Sequence, residues 1–144
     1  MRIETKHNPC LVIITVLLLF GNACSNFTKG KGNAEAAVVQ FHNEFNAGQF
    51  REIYHQTDEE FKKATNEADF ITLLEAIRRK LGTVKQASPT GWRMNATPMG
   101  TMVTLGYNVE FTEGKGTEEF VYRVSGGKAL LLHYNVNSPL LITK

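Results

Sequence analysis

Two hydrophobic rhythms divide this chain, and the change between them falls at Gly82. Ala34, Val38, Phe41 and Phe45 recur at helical spacing and stop at Gly48, which predicts a first helix on the domain. A shorter helical stretch carries Phe50, Ile53 and Tyr54. Thr57 followed by Glu60 has capping-box spacing and predicts a turn of helix around Phe61. The strongest periodicity runs from Glu67 to Leu81, where Phe70, Leu73, Leu74, Ile77 and Leu81 make one stripe. Arg78, Arg79 and Lys80 close that helix with charges suited to the negative end of its dipole. Beyond Gly82 the period is two. Trp92 to Ala96 is bracketed by the turn-like Ser88-Pro89-Thr90-Gly91 and Thr97-Pro98-Met99-Gly100. Met102 to Phe111 then alternates strictly, Phe120 to Val124 does so again, Gly126-Gly127 predicts a tight hairpin, and Ala129 to Val136 makes a last strand.

Helices first and a meander of strands afterwards predict an α+β domain, with N-terminal helices packed on one face of a curved antiparallel sheet of about four strands. The turns also predict a register. A two-residue loop at Gly126-Gly127 pairs Val124 with Ala129, Tyr122 with Leu131, Phe120 with His133 and Glu118 with Asn135. A four-residue loop from Glu113 to Gly116 pairs Leu105 with Val124, Tyr107 with Tyr122, Val109 with Phe120 and Phe111 with Glu118. Opposed residues share a face. His133, Glu118, Asn135 and Tyr122 would therefore gather on the core side, a His and a carboxylate at the rim of an apolar cup. The opposite face would carry Val121, Leu130, Leu132 and Tyr134, apolar enough to expect cover from the Leu140-Leu141-Ile142 tail, a second copy or an envelope protein partner.

The N-terminus has a different pattern. Leu11 to Phe20 is a ten-residue apolar run broken only by Thr15, preceded by Arg2 and Lys6 and followed by Gly21-Asn22-Ala23-Cys24. A run this short does not span a bilayer, which needs roughly 20 residues; it suits the apolar part of a signal peptide with a small-residue cleavage site. The expected organisation is a signal peptide over residues 1–23, a flexible tether over 24–33 rich in Gly and Lys, and one domain over 34–144.

Composition narrows the function by exclusion. Without residues 1–23 the chain keeps 14 basic and 13 acidic side chains, a balance with no electrostatic footprint for nucleic acid. Of the two cysteines only Cys24 would remain, so no internal disulfide and no Cys/His zinc spacing is expected. No Ser/His/Asp triad, phosphate loop, metal motif or cofactor signature stands in the sequence, and His42 and His55 read as surface positions on helices.

Ala23-Cys24 after the apolar run resembles the bacterial lipobox, whose cysteine is acylated, though Gly21 and Asn22 stand where that motif usually has Leu and a small residue. The resemblance implies a lipid anchor on Cys24. With Ser25 next, it implies the outer membrane, facing the periplasm, in a host with two membranes. The helical region and sheet resemble the cystatin-like, nuclear-transport-factor-like cone fold. Phe45-x-x-Gly48-x-Phe50-x-x-Ile53-Tyr54, with Phe61-Lys62 and Leu81-Gly82, is similar to a family of small exported bacterial proteins of unknown function. That superfamily holds enzymes and binders alike, so fold alone selects no activity. The expectation is a lipid-anchored cell-envelope protein with a small domain that binds a ligand or partner and shows no evident catalysis. The alternatives are a cone-fold enzyme using His133 as base and Glu118 to orient it, or a soluble secreted binding module.

Overall fold

The structure is a computed structural model and describes residues 23–142. The expected signal peptide therefore lies, apart from Ala23, outside the described residues. The architecture is α+β. Four helices, α1 (Ala23–Ala47), α2 (Phe50–His55), α3 (Glu59–Ala64) and α4 (Glu67–Leu81), precede an antiparallel sheet. Its strands β1 (Val84–Thr97), β2 (Gly100–Phe111), β3 (Lys115–Ser125) and β4 (Lys128–Asn137) neighbour one another in chain order, and a single turn of helix, α5 (Pro139–Ile142), follows.

The core forms where the two rhythms meet. Ala34, Val38, Phe41 and Phe45 of α1 and Phe70, Leu74, Ile77 and Leu81 of α4 are buried, as are Val103, Leu105, Tyr107, Val109 and Phe111 of β2 and Phe120, Tyr122 and Val124 of β3. Each fully buried Phe or Leu contributes about 1.5–3 kcal/mol through removal from water. Leu73, assigned to the α4 stripe by spacing, is 48% exposed; the buried set repeats through Phe70, Leu74, Ile77 and Leu81 without it.

One helix cap differs from expectation by one residue. Asp58, rather than Thr57, caps α3, its carboxylate accepting from Glu60 N at 2.9 Å. Thr57 is instead buried, its hydroxyl donating to Tyr54 O and its backbone bridging Leu131 of β4. Gly82 ends α4 at φ 78, in the left-handed region that favours glycine, and its N–H closes onto Arg78 O.

The segment 24–33, read from composition as a tether, belongs to α1. Tertiary contacts supply what the glycine-rich sequence lacks in helix propensity. Gly30 lies close enough to Met94 that a β-carbon there would be 3.2 Å from its methyl, Lys31 pairs with Glu35 and sits over the Trp92 ring, and the Asn33 amide donates to Gly127 O at 3.1 Å. Ser88 to Gly91 is not a turn. β1 runs through it with a register shift between Pro89 and Gly91, so Thr90 is an extra residue in the ladder.

Both hairpin registers differ from expectation, with unequal consequences. At β2–β3 the turn is tighter than the expected loop from Glu113 to Gly116: Phe111 N–H donates to Gly114 O, which leaves Thr112-Glu113 between them. That turn is drawn onto the end of α4 by bonds from Thr112 N to Thr83 O and from Glu113 N to Leu81 O. Val103 now opposes Tyr122, Leu105 opposes Phe120 and Tyr107 opposes Glu118. The displacement is an even number of residues, so the inward face is unchanged.

At β3–β4 the pairs Val124–Ala129 and Tyr122–Leu131 hold, and then a bulge leaves Leu132 unpaired. Phe120 opposes Tyr134, Val121 opposes His133 and Glu119 opposes Asn135. One extra residue exchanges the faces of everything beyond it. The bulge lies where the outer edge of β4 is engaged by the chain before α3: Asp58 N donates to Leu131 O, and Leu131 N to Gln56 O.

Candidate functional site

The bulge decides which residues meet. His133 and Asn135 are exposed on the outer side of β4, so the expected cluster of His133, Glu118 and Asn135 does not form. Glu118 does face inward and is 3% exposed. Its partners are Tyr134, carried inward by the same bulge, and His42 from α1. The Tyr134 hydroxyl donates to Glu118 Oε1 at 2.7 Å, and His42 Nε2 lies 2.6 Å from Oε2. With Glu118 ionised, the proton of this pair belongs on Nε2, which then donates to the carboxylate.

His42 was expected at the surface; it is 8% exposed. It stands four residues after Val38 and three before Phe45, a spacing that places it on the buried stripe. That spacing was the available signal. The His42 ring is surrounded by Phe41, Tyr107 and Phe120, with centroids 5.7 to 6.4 Å away. Burial pushes the Tyr134 hydroxyl well above its ordinary range, with the Glu118 charge and the bond donated to it adding to the effect. Tyr107 is raised mainly by burial, then by the charges of Glu35 and Glu118. The arrangement joins α1, β3 and β4 through one carboxylate with both oxygens occupied. Five clefts among the described residues are lined by none of His42, Glu118 and Tyr134.

A second carboxylate on α1 stands in different surroundings. Glu44 Oε1 accepts from the Gln56 amide at 2.6 Å and from the Gln40 amide at 3.0 Å, while its Oε2 is buried without a hydrogen-bond partner. Glu44 lines a half-open cleft of about 290 Å³ between α1, α2 and the β3–β4 hairpin. Phe41, Ile53 and Leu131 give the cleft an apolar wall, and Gln40, Gln56, Tyr122 and Lys128 give it polar groups. Tyr122 is held in its neutral form by burial first, then by nearby Tyr107, Glu118 and Glu44, so it serves as a hydroxyl. An apolar wall with a few convergent polar groups is the usual composition of a small-molecule site, although this one is at the small end of the range.

The outer face differs from expectation in the same way as the core. Tyr134 has left it, and Val121 and Leu132 are half-buried there, with Leu130 36% exposed. The tail does not cover these residues. It docks at the end of α4, where the Lys80 ammonium donates to Leu141 O, and beside Gly114, while Ser138 is buried and donates to Lys115 O. Arg123 reaches from this face to Asp58 at 3.5 Å, its Nε buried without a partner. The cysteine and acidic residues make no metal centre among the described residues. No described helix is long and apolar enough to cross a membrane.

A family model described as a protein of unknown function, DUF4019, matches residues 32–129. That span takes in most of α1, α2 to α4 and the sheet up to the start of β4. No curated protein matches the chain.

Proposed function

The chain belongs to the DUF4019 family, and we propose that it is an exported protein, held on a bacterial envelope membrane by a lipid on Cys24, whose domain binds a small amphipathic ligand in the cleft beside α1. The observation that carries the binding reading is the orphaned Glu44 Oε2 at a half-open cleft with an apolar wall. A buried polar atom without a partner costs about 1–3 kcal/mol, and a ligand bearing a hydrogen-bond donor would recover that cost once the Glu44 side chain turns Oε2 toward the cleft. The anchor reading rests on the sequence: a ten-residue apolar run, small residues at Gly21 and Ala23, and one cysteine left after cleavage. In a host with two membranes, Ser25 after the cysteine points to the outer membrane, with the domain in the periplasm.

A binder is favoured over an acid–base enzyme by the way the polar groups are distributed. The His–carboxylate pair is enclosed with both carboxylate oxygens engaged, whereas the cleft has a carboxylate, two amides, a phenol and the Lys128 ammonium, with no base hydrogen-bonded to a nucleophile. The test has two parts. Intact mass of the mature chain from its host is expected to show a diacylglyceryl group on Cys24; an unmodified cysteine, or a start elsewhere, refutes the anchor. Phenylnaphthylamine, an apolar dye with one N–H donor, is expected to fluoresce on binding. Ala129→Trp, which fills the cleft, is expected to abolish that signal at unchanged melting temperature. Undiminished dye binding by that variant refutes the cleft as the site.

A further inference from the structure

The geometry points to one end of the domain as a surface that lies on an anionic lipid bilayer; the inference rests on the anchor at Cys24 proposed above. Its starting point is that no tether separates Cys24 from the fold: α1 is helical from Ala23 to Ala47. The attachment point is thus carried on a helix whose position on the sheet is fixed. At its far end, the Asn46 side chain both donates to Val84 O and accepts from Val84 N at the start of β1. At its near end, Gly30 packs against Met94 further along β1. Going toward the N-terminus of α1 is therefore going toward the β1–β2 turn.

Past the Gly30–Met94 contact, six helical residues reach Cys24, a rise of about 9 Å. Five residues along β1 and its turn reach Met99, at most about 17 Å and less for the part that turns. The two points extend beyond the same contact by comparable amounts. Asn33, bonded to Gly127 O, brings the β3–β4 turn to this end as well. A bilayer that holds the lipid on Cys24 therefore meets the hairpin tips.

Those tips have the chemistry such a surface needs. Met99 is 63% exposed beside the exposed Pro98, an apolar tip on the β1–β2 turn. Lys29 and Lys128 are exposed, and Lys31 is half-buried at the same end. The sequence has no Asp or Glu from Ala23 to Ala34, from Arg93 to Val109, or from Val124 onward, and Glu35, the first carboxylate along α1, is paired with Lys31. Each lysine near an anionic leaflet adds attraction, within a Debye length of the surface. Elsewhere the chain is close to neutral, which makes this end distinct.

The experiment uses the mature chain purified from host membranes, with Met99→Cys or Glu113→Cys labelled by an environment-sensitive fluorophore. Glu113 sits in the β2–β3 turn, at the other end of the sheet. The labelled chains are reconstituted into vesicles of phosphatidylglycerol and phosphatidylethanolamine, and intact mass is recorded on the same samples. The expected result is a blue shift for the label at 99, none for the label at 113, and loss of the shift in Met99→Cys carrying Lys29→Glu and Lys128→Glu. Equal, water-like emission from both labels with the lipid present on Cys24 overturns the bilayer surface and leaves the anchor standing. A shift that survives both charge reversals overturns the electrostatic half of the inference. A mass without lipid overturns the anchor, and this inference with it.

Discussion

Two carboxylates lie at the C-terminal end of α1, one reaching it from the sheet and one growing from it, and their surroundings differ in one respect. Glu118 is closed: His42 takes one oxygen, Tyr134 takes the other, and aromatic rings exclude water. Glu44 is open: two amides share one oxygen, the other has no partner, and a cleft lies alongside. Engagement of both oxygens makes a carboxylate a fastening, because each oxygen is already committed to the fold. Incomplete engagement beside empty space leaves interaction energy for something else. The comparison assigns structure to the histidine-bearing group and binding to the histidine-free one.

Substitutions at Glu118 should be the most damaging. Glu118→Ala strands His42 and the Tyr134 hydroxyl among rings, and breaking a buried, hydrogen-bonded charge typically costs about 3–5 kcal/mol. Chemical denaturation is the measurement; a loss below about 1 kcal/mol would mean that the network does not fasten α1 to the sheet. His42→Ala should fall in the same range, and the double variant should cost much less than the sum, since the two side chains share one interaction.

Alkaline pH probes the same enclosure. Tyr134, Tyr122 and Tyr107 all have hydroxyls whose ionisation is pushed above the ordinary value, chiefly by burial. Above the unfolded value of about 10 the unfolded chain loses these protons while the folded one keeps them. Stability is therefore fully present below about pH 10 and falls as the pH rises beyond it, at up to about 1.4 kcal/mol per pH unit for each tyrosine. Phenolate absorbance should accordingly appear together with unfolding for these three. Smooth ionisation in the folded chain would show that the enclosure is loose.

Asp58→Ala should cost about 1–2 kcal/mol, through the lost cap of α3 and the lost partner of Arg123. The smallest effect is expected at Glu44, whose side chain is only half-buried and fastens no strand. Glu44→Gln should change stability by less than about 0.5 kcal/mol. A loss as large as that of Glu118→Ala would erase the distinction between the two carboxylates.

Much of this fold is legible in the residue pattern. The α1 and α4 stripes, the strict alternation of β2 and the Gly126-Gly127 turn are local signals, and local signals determine element type. Glu118 facing inward follows from alternation alone. The rest depends on contacts made across the chain. Nothing near Leu132 announces a bulge; it accompanies the bonds of Leu131 to Gln56 and Asp58, about 75 residues earlier. That one displacement puts Tyr134 where His133 was expected. The helical start of α1 is likewise hidden, since Gly30 and Gly32 disfavour helix and only packing against Met94, Trp92 and Gly127 offsets that. His42 is legible as well, because its position four residues after Val38 and three before Phe45 puts it on the buried stripe.

The claim that binding belongs to the open carboxylate and not to the closed one is tested most directly by dye titration of two variants beside the parent chain. Glu44→Gln and Glu118→Gln are titrated with phenylnaphthylamine at a temperature where all three are folded by circular dichroism. The account predicts that Glu44→Gln loses affinity at unchanged stability, while Glu118→Gln loses stability at unchanged affinity. Unaltered binding by Glu44→Gln, with affinity lost instead in folded Glu118→Gln, would contradict it and return the His42–Glu118 pair to the functional site.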